Sequence, residues 1–257
     1  MKENIFHFIS IKYMRQDKPR WALNIFIMLL LLCPVMSTLG AVTGSVRLIY
    51  PAAIFWGIYT VALFLLRLIA ARPVWRYLVI AVLLALICWA AFAGRPYDTV
   101  GLRAMYRSRL ISFSGTLYVW GGESHLGIDC SGLARTALIE AMVFEGFRTG
   151  NPRLLGPQLW DFWWHDMSAK AMGAETFGYT REVCRLPKLA GAKITQLKVG
   201  DLAITESGVH VLIYLGENRW IEANPEDMRV VANEATVTSI RTYFNQTFKI
   251  MRWKWLE

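Results

Sequence analysis

The chain has 257 residues, 55% of them apolar, with 11 tryptophans and a formal net charge of +9, an apolar excess that rules out an ordinary soluble domain. The charge does not mark a nucleic-acid binder: residues 1–94 carry 9 Lys/Arg against 2 Asp/Glu, whereas residues 95–257 carry 19 against 17 and no basic stripe. Four cysteines without C-x-x-C spacing and four histidines without an H-E-x-x-H pattern argue against a disulfide framework and the common zinc motifs, so no metal or cofactor is expected.

Residues 1–20 form a basic N-terminal segment. Three runs without a charge follow: Trp21 to Val46 with 26 residues, Leu48 to Leu66 with 19, and Tyr77 to Gly94 with 18. Each approaches the ~20 residues that a ~30 Å hydrocarbon core requires, which predicts three transmembrane helices in a membrane domain at 21–94. Lys2, Lys12, Arg15, Lys18 and Arg20 precede the first run, only Arg47 stands in the first connection, and Arg67, Arg72 and Arg76 stand in the second. The excess of Lys and Arg in cytoplasmic loops places the N-terminus inside and everything after Gly94 outside.

Residues 95–112 read as a linker and a short amphipathic helix. "TLYVWGG" (116–122) reads as a brief strand or extended entry ending in a glycine turn. From Cys130 to about Phe147, Leu133, Ala137, Leu138, Ala141, Met142 and Phe144 recur at near-helical spacing, predicting a largely buried helix that starts at Cys130. After Lys198 the period becomes two: "GDLAI", "GVHVLIYLG" and "RWIEANP", then 228–238 and 246–255, read as strands. A helix followed by an antiparallel meander is an α+β arrangement.

Most lone cysteines are inert core packing, but a thiol at a helix start faces unpaired N–H groups and the positive end of the macrodipole, which favour thiolate. Of the four histidines, His7 falls on the cytoplasmic side, His125 in a glycine-rich loop and His165 in "LWDFWWHD", leaving His210 centred in a strand. A three-residue loop at Gly216 to Asn218 pairs residues whose numbers sum to 434. It sets His210 opposite Asn224 with Glu222 diagonal on the same face, whereas a two-residue loop places only apolar or Pro side chains there.

"YVWGG" (118–122), "DCSGL" (129–133), "GDL" (200–202), "HVLIYLG" (210–216) and "WIEAN" (220–224), in that order, resemble the NlpC/P60 family of papain-like cysteine peptidases, over about 95–257. The resemblance implies a catalytic domain at 113–257 with a central helix packed on an antiparallel sheet. It makes Cys130 the nucleophile, His210 the base and Glu222 the residue that orients the imidazole. Glu222 departs from the usual His, Asn or Gln; a carboxylate can accept the imidazole N–H, and Asn224 is the reserve. Tyr118, Asp129 and Ser131 are implied to line the cleft, with Asp129 receiving a substrate amine, although Asp129 and Ser131 also read as helix caps. The 80 positions from Cys130 to His210 exceed what compact members need, and the surplus is an aromatic-rich insertion at about 148–195.

These features imply a multi-pass protein of a bacterial inner membrane, with its catalytic domain in the periplasm, that hydrolyses an amide of peptidoglycan stem peptides or cross-links through a thioester. Its implied partners are the peptidoglycan peptide, the lipid bilayer and a membrane protein, with no nucleic acid. The alternatives are an acyltransferase or thioesterase acting on lipid or lipoprotein, and a catalytically silent membrane-tethered scaffold.

Overall fold

A computed structural model describes residues 57–65, 73–91, 95–190, 195–236 and 242–257. The basic segment 1–20, the run 21–46 and most of the run 48–66 lie outside these residues; 57–65 is helical. The third run falls, as far as Ala91, in helix α1 (Pro73–Ala91), whose described apolar side chains extend from Val74 to Trp89 and are largely exposed. Among the described residues no helix is long and apolar enough to cross a membrane. The chain divides into two compact units, and the second, which holds Tyr77–Glu257, contains the sheet and the helices packed on it.

Helix α2 (Thr99–Ser112) is N-capped by Asp98, whose side chain accepts from Val100 N. It buries Leu102, Tyr106 and Leu110, spaced four apart on one face. A small hairpin of β1 (Glu123–Ser124) and β2 (Gly127–Ile128) precedes helix α3 (Cys130–Thr149). "TLYVWGG" supplies no strand of its own, only the isolated bridges Leu117↔Arg229 and Tyr118↔Ile128. Gly150 ends α3 in the left-handed region (φ +62°), its N–H bonded to Gly146 O and Phe147 O, the conformation glycine takes without a Cβ penalty.

Helices α4 (Pro152–Leu155), α5 (Pro157–Trp164) and α6 (Ala169–Gly173) come next, then β3 (Thr180–Leu186). The aromatic-rich segment is built into the main body: Leu154, Leu159, Phe162 and Met172 join the principal core, and β3 is an edge strand of the principal sheet. That sheet adds β4 (Leu202–Thr205), β5 (Val211–Gly216), β6 (Arg219–Asn224), β7 (Arg229–Glu234) and β8 (Phe248–Trp253) in the order β3-β8-β4-β5-β6-β7, with every pair antiparallel.

Both faces of the sheet are apolar, so its central strands are buried almost throughout. Leu202, Ile204, Val211, Ile213, Ile221, Met251 and Trp253 pack with α2 and α3 in one core. Ala203, Leu212, Trp220, Phe248 and Ile250 form a second with Leu189, Ala190 and Phe244. The alternation arises because side chains point to opposite faces along a strand. A buried ion pair joins β4 to β8: Arg252 Nε and Nη2 each lie 2.7 Å from an oxygen of Asp201, whose side chain is fully buried. The Asp201 Oδ2 also accepts from Lys198 N at 2.8 Å. The "GDL" block is thus a structural clamp.

Candidate active site

The start of α3 is assembled from glycines and one carboxylate. Asp129 Oδ1 accepts from Gly132 N at 2.6 Å and Ser131 Oγ at 2.9 Å, and its Oδ2 accepts from Gly121 N at 2.8 Å. This N-cap ties the "WGG" turn to the helix. Gly122 and Gly132 allow the approach: a Cβ on Gly122 would stand 2.5 Å from Gly127 O, and one on Gly132 would collide with Gly122 O. Asp129 therefore acts as a cap and is half-buried.

Cys130 opens α3 with 6% exposure, its Sγ 4.0 Å from Val209 O. Pairing of β5 with β6 runs from Ile213↔Ile221 toward their turn, and the thiol stands beyond it, against the backbone that carries His210. The helix start does not make a ready thiolate. Burial pushes the thiol from 9.0 up to about 12, the Asp129 charge adds to the rise, and the amides of Val211, Ser131 and Cys130 only partly oppose it. The lowered pKa expected from the macrodipole is overturned because desolvation of a nearly enclosed thiolate outweighs a few favourable dipoles.

His210 lies immediately before β5 rather than at its centre. Thr205 N donates to His210 O at 3.1 Å, and His210 N donates to Thr205 Oγ1 at 3.1 Å, closing the β4–β5 turn and fixing the imidazole's root. Its Nε2 lies 2.6 Å from Glu222 Oε2, with side chains 3% and 1% exposed. Asn224 does not reach the ring in this arrangement: its Nδ2 donates to Glu222 Oε1 at 3.2 Å, while its Oδ1 accepts from Glu226 N at 2.6 Å. The carboxylate is thereby held on both oxygens.

The register that creates this contact is the one whose pair numbers sum to 434, as in Ile213↔Ile221 and Tyr214↔Trp220. The turn differs from expectation. Glu217 and Asn218, at φ +53° and +57°, form a two-residue connection of the kind favoured in hairpins. Gly216 then pairs with Arg219, and an irregularity between Tyr214 and Gly216 restores the odd count. One bulged residue has the register effect of one more loop residue.

Tyr118 is half-buried, its N–H bonded to Met228 O at 2.9 Å. Burial, then the charges of Cys130, Asp129 and Tyr243, push its phenol up to about 12. Tyr243, not anticipated from the sequence, stacks on His210 with ring centroids 3.9 Å apart and planes 22° from parallel. Its phenol is raised by burial and by Glu226, Glu222 and Cys130. Trp120, Val209 and Met228, 81%, 64% and 57% exposed, adjoin these groups along the chain.

The other two described histidines belong elsewhere. His125 stacks on Phe113 and faces Glu140 at 3.3 Å, and His165 joins Asp161 and Tyr179. Among the described residues no group of three or more His, Cys, Asp or Glu could hold a metal ion.

The model of the NlpC/P60 family matches residues 115–249, just over half of the chain. No curated protein matches. Solved structures similar to this chain include the NlpC/P60 domain of the peptidoglycan hydrolase SagA, at 23% identity over 58% of this chain and 97% of that one, with a TM-score of 0.35. The P60 domain of an antigen from M. avium subspecies paratuberculosis has 20% identity over 59% and 95%, with a TM-score of 0.35. The peptidoglycan hydrolase RipB from Mycobacterium tuberculosis has 21% identity over 59% and 65%, with a TM-score of 0.36. With a family model spanning residues 115–249 and an α+β architecture in which a helix begins at the cysteine of "DCSGL" and packs on an antiparallel sheet, this chain belongs to the NlpC/P60 family.

Proposed function

We propose that this protein is a membrane-anchored cysteine peptidase that hydrolyses an amide in peptidoglycan stem peptides or cross-links. The observation that carries the reading is the enclosed His210–Glu222 contact of 2.6 Å beside the helix-start thiol of Cys130. A degraded site has no reason to keep a carboxylate on the imidazole, so the pair also argues against a silent scaffold. The anchor is supported by the three charge-free runs in the sequence and by the exposure of the apolar side chains of α1, such as Leu78, Leu83 and Ile87, which calls for an apolar surround.

Glu222 accepts a hydrogen bond from His210 Nε2–H, leaving Nδ1 as the basic nitrogen. Because burial holds the thiol protonated, the thiolate forms by transfer of its proton to Nδ1 as the substrate arrives and displaces water. The Sγ attacks the amide carbonyl; the backbone N–H of Cys130, at the positive end of α3, faces the developing oxyanion. His210 then gives the proton to the leaving amine as the C–N bond breaks, producing a thioester on Cys130. Water, deprotonated by His210, cleaves the thioester and restores the thiol. Glu222 stabilises the imidazolium in both halves.

The test is to incubate the full-length protein in detergent with intact peptidoglycan and defined muropeptides beside Cys130→Ala, and to identify products by mass. A new amine and carboxyl pair that is missing from the variant supports the reading; identical products from both proteins contradict it.

A further inference from the structure

The two ends of α3 face different surroundings. At its C-terminal end the chain arriving from α1 is pinned by contacts from separate residues. Trp89 Nε1 donates to Gly150 O at 3.0 Å, Asn151 Nδ2 donates to Pro96 O at 3.1 Å, and the Arg153 guanidinium lies 5.3 Å from the Tyr97 ring centroid. Tyr97 OH in turn donates to Trp255 O at 3.1 Å. Between Ala91 and Arg95 the chain can reach at most ~14 Å even fully extended, so the end of α1 and the end of α3 lie close together. Cys130 is at the opposite end of a helix of 20 residues, about 30 Å away at ~1.5 Å per residue.

The surface at the pinned end has the composition of a membrane interface. Val100 and Phe147 are 74% and 73% exposed and Phe144 is half exposed. Exposed Arg95, Arg148 and Arg153 accompany them. Nearby Glu145 is buried and engaged on both oxygens by Arg148, and exposed Asp98 caps α2, so these three arginines outnumber these two carboxylates. Exposed apolar side chains among arginines suit a headgroup layer with anionic lipids.

Resting on the anchored reading of the function, we propose that this end of the domain, with Val100 and Phe147 at its tip, sits on the phospholipid headgroups, and that α3 acts as a strut holding Cys130 about 30 Å from the anchor. The cleft then faces the wall polymer, and lipid acyl groups of the same bilayer are out of reach of the thiol. The substrate is thereby a wall peptide by position as well as by chemistry.

Collisional quenching tests the orientation. The full chain, with Cys33, Cys88, Cys130 and Cys184 replaced by alanine, receives one bimane-labelled cysteine at a time through Leu83→Cys, Phe147→Cys, Trp120→Cys or Val209→Cys. It is reconstituted in phosphatidylethanolamine/phosphatidylglycerol vesicles carrying a nitroxide on the lipid headgroup or along the acyl chain. The expected result is loss of emission at 83 with the acyl-chain quencher, loss at 147 with the headgroup quencher, and full emission at 120 and 209 with both. Quenching at 83 without quenching at 147, or quenching at 120 or 209, overturns the orientation while leaving the anchor intact. Full emission at 83 overturns the anchor itself, and the orientation with it. Trp120 and Val209 report the same end independently, so a misfolded single variant does not decide the outcome.

Discussion

Two buried carboxylates in one sheet have opposite partners. Asp201, at the start of β4, is clamped by two nitrogens of Arg252 and a backbone amide. Glu222, on β6, faces one imidazole nitrogen of His210, with Asn224 behind it. Arginine keeps its proton throughout the working pH range, so the first pair can only hold β4 to β8. An imidazole can both give and take a proton, so the second pair can serve chemistry when a thiol stands beside it. A carboxylate's role in this fold is set by whether its partner can give up charge, not by its burial.

Substitutions should separate the two regions. Cys130→Ala should abolish product formation while the protein still melts cooperatively, as checked by mass analysis of muropeptides and by calorimetry. Glu222→Ala removes the acceptor that orients the imidazole and should lower kcat by roughly 10²–10⁴, whereas Glu222→Gln, whose amide oxygen still accepts the N–H, should lower it far less, with little change in melting. Asp201→Ala should do the reverse. It leaves Arg252 buried without its anion, costing about 3–5 kcal/mol of stability in denaturant unfolding, with turnover per folded molecule preserved at low temperature.

A smaller effect is expected at Tyr243, where loss of a stacked ring worth about 0.5–1.5 kcal/mol frees the imidazole plane. Tyr243→Ala should lower kcat by about tenfold and leave KM nearly unchanged, and Tyr243→Phe should restore it. The thiol adds a pH dependence to stability. Cys130 ionises near its ordinary 9.0 when unfolded but is held protonated to about 12 when folded, so above pH 9 the unfolded state binds fewer protons. Its contribution to stability is complete below pH 9 and is lost as pH rises toward 12. Unfolding of the wild type compared with Cys130→Ala across that window should show a falling difference.

The sequence carries the site unevenly. Alternation along "GVHVLIYLG" and "RWIEAN" sets which side chains share a face, and the requirement for a polar group beside His210 selects the register that places Glu222 there. The turn itself is hidden, because Glu217 and Asn218 at positive φ together with a bulge yield the same odd offset as a three-residue loop. β3 is not legible: "TREVCRL" is an edge strand with mostly half-exposed side chains, so it lacks an apolar period. Tyr243 leaves no signal either, because it comes from a short 3-10 turn (Thr242–Asn245) and meets His210 only through tertiary packing. The raised thiol pKa depends on how tightly the cleft closes over Sγ, which no local pattern encodes.

The measurement that bears most directly on catalysis by Cys130 is intact and peptide mass analysis of the full-length protein after brief incubation with muropeptides and an acid quench. A hydroxylamine-sensitive adduct on the peptide containing Cys130, with the mass of the acyl fragment and missing from Cys130→Ala, is the predicted result. Hydrolysis by Cys130→Ala at the wild-type rate, with no adduct on the wild-type thiol, would contradict it.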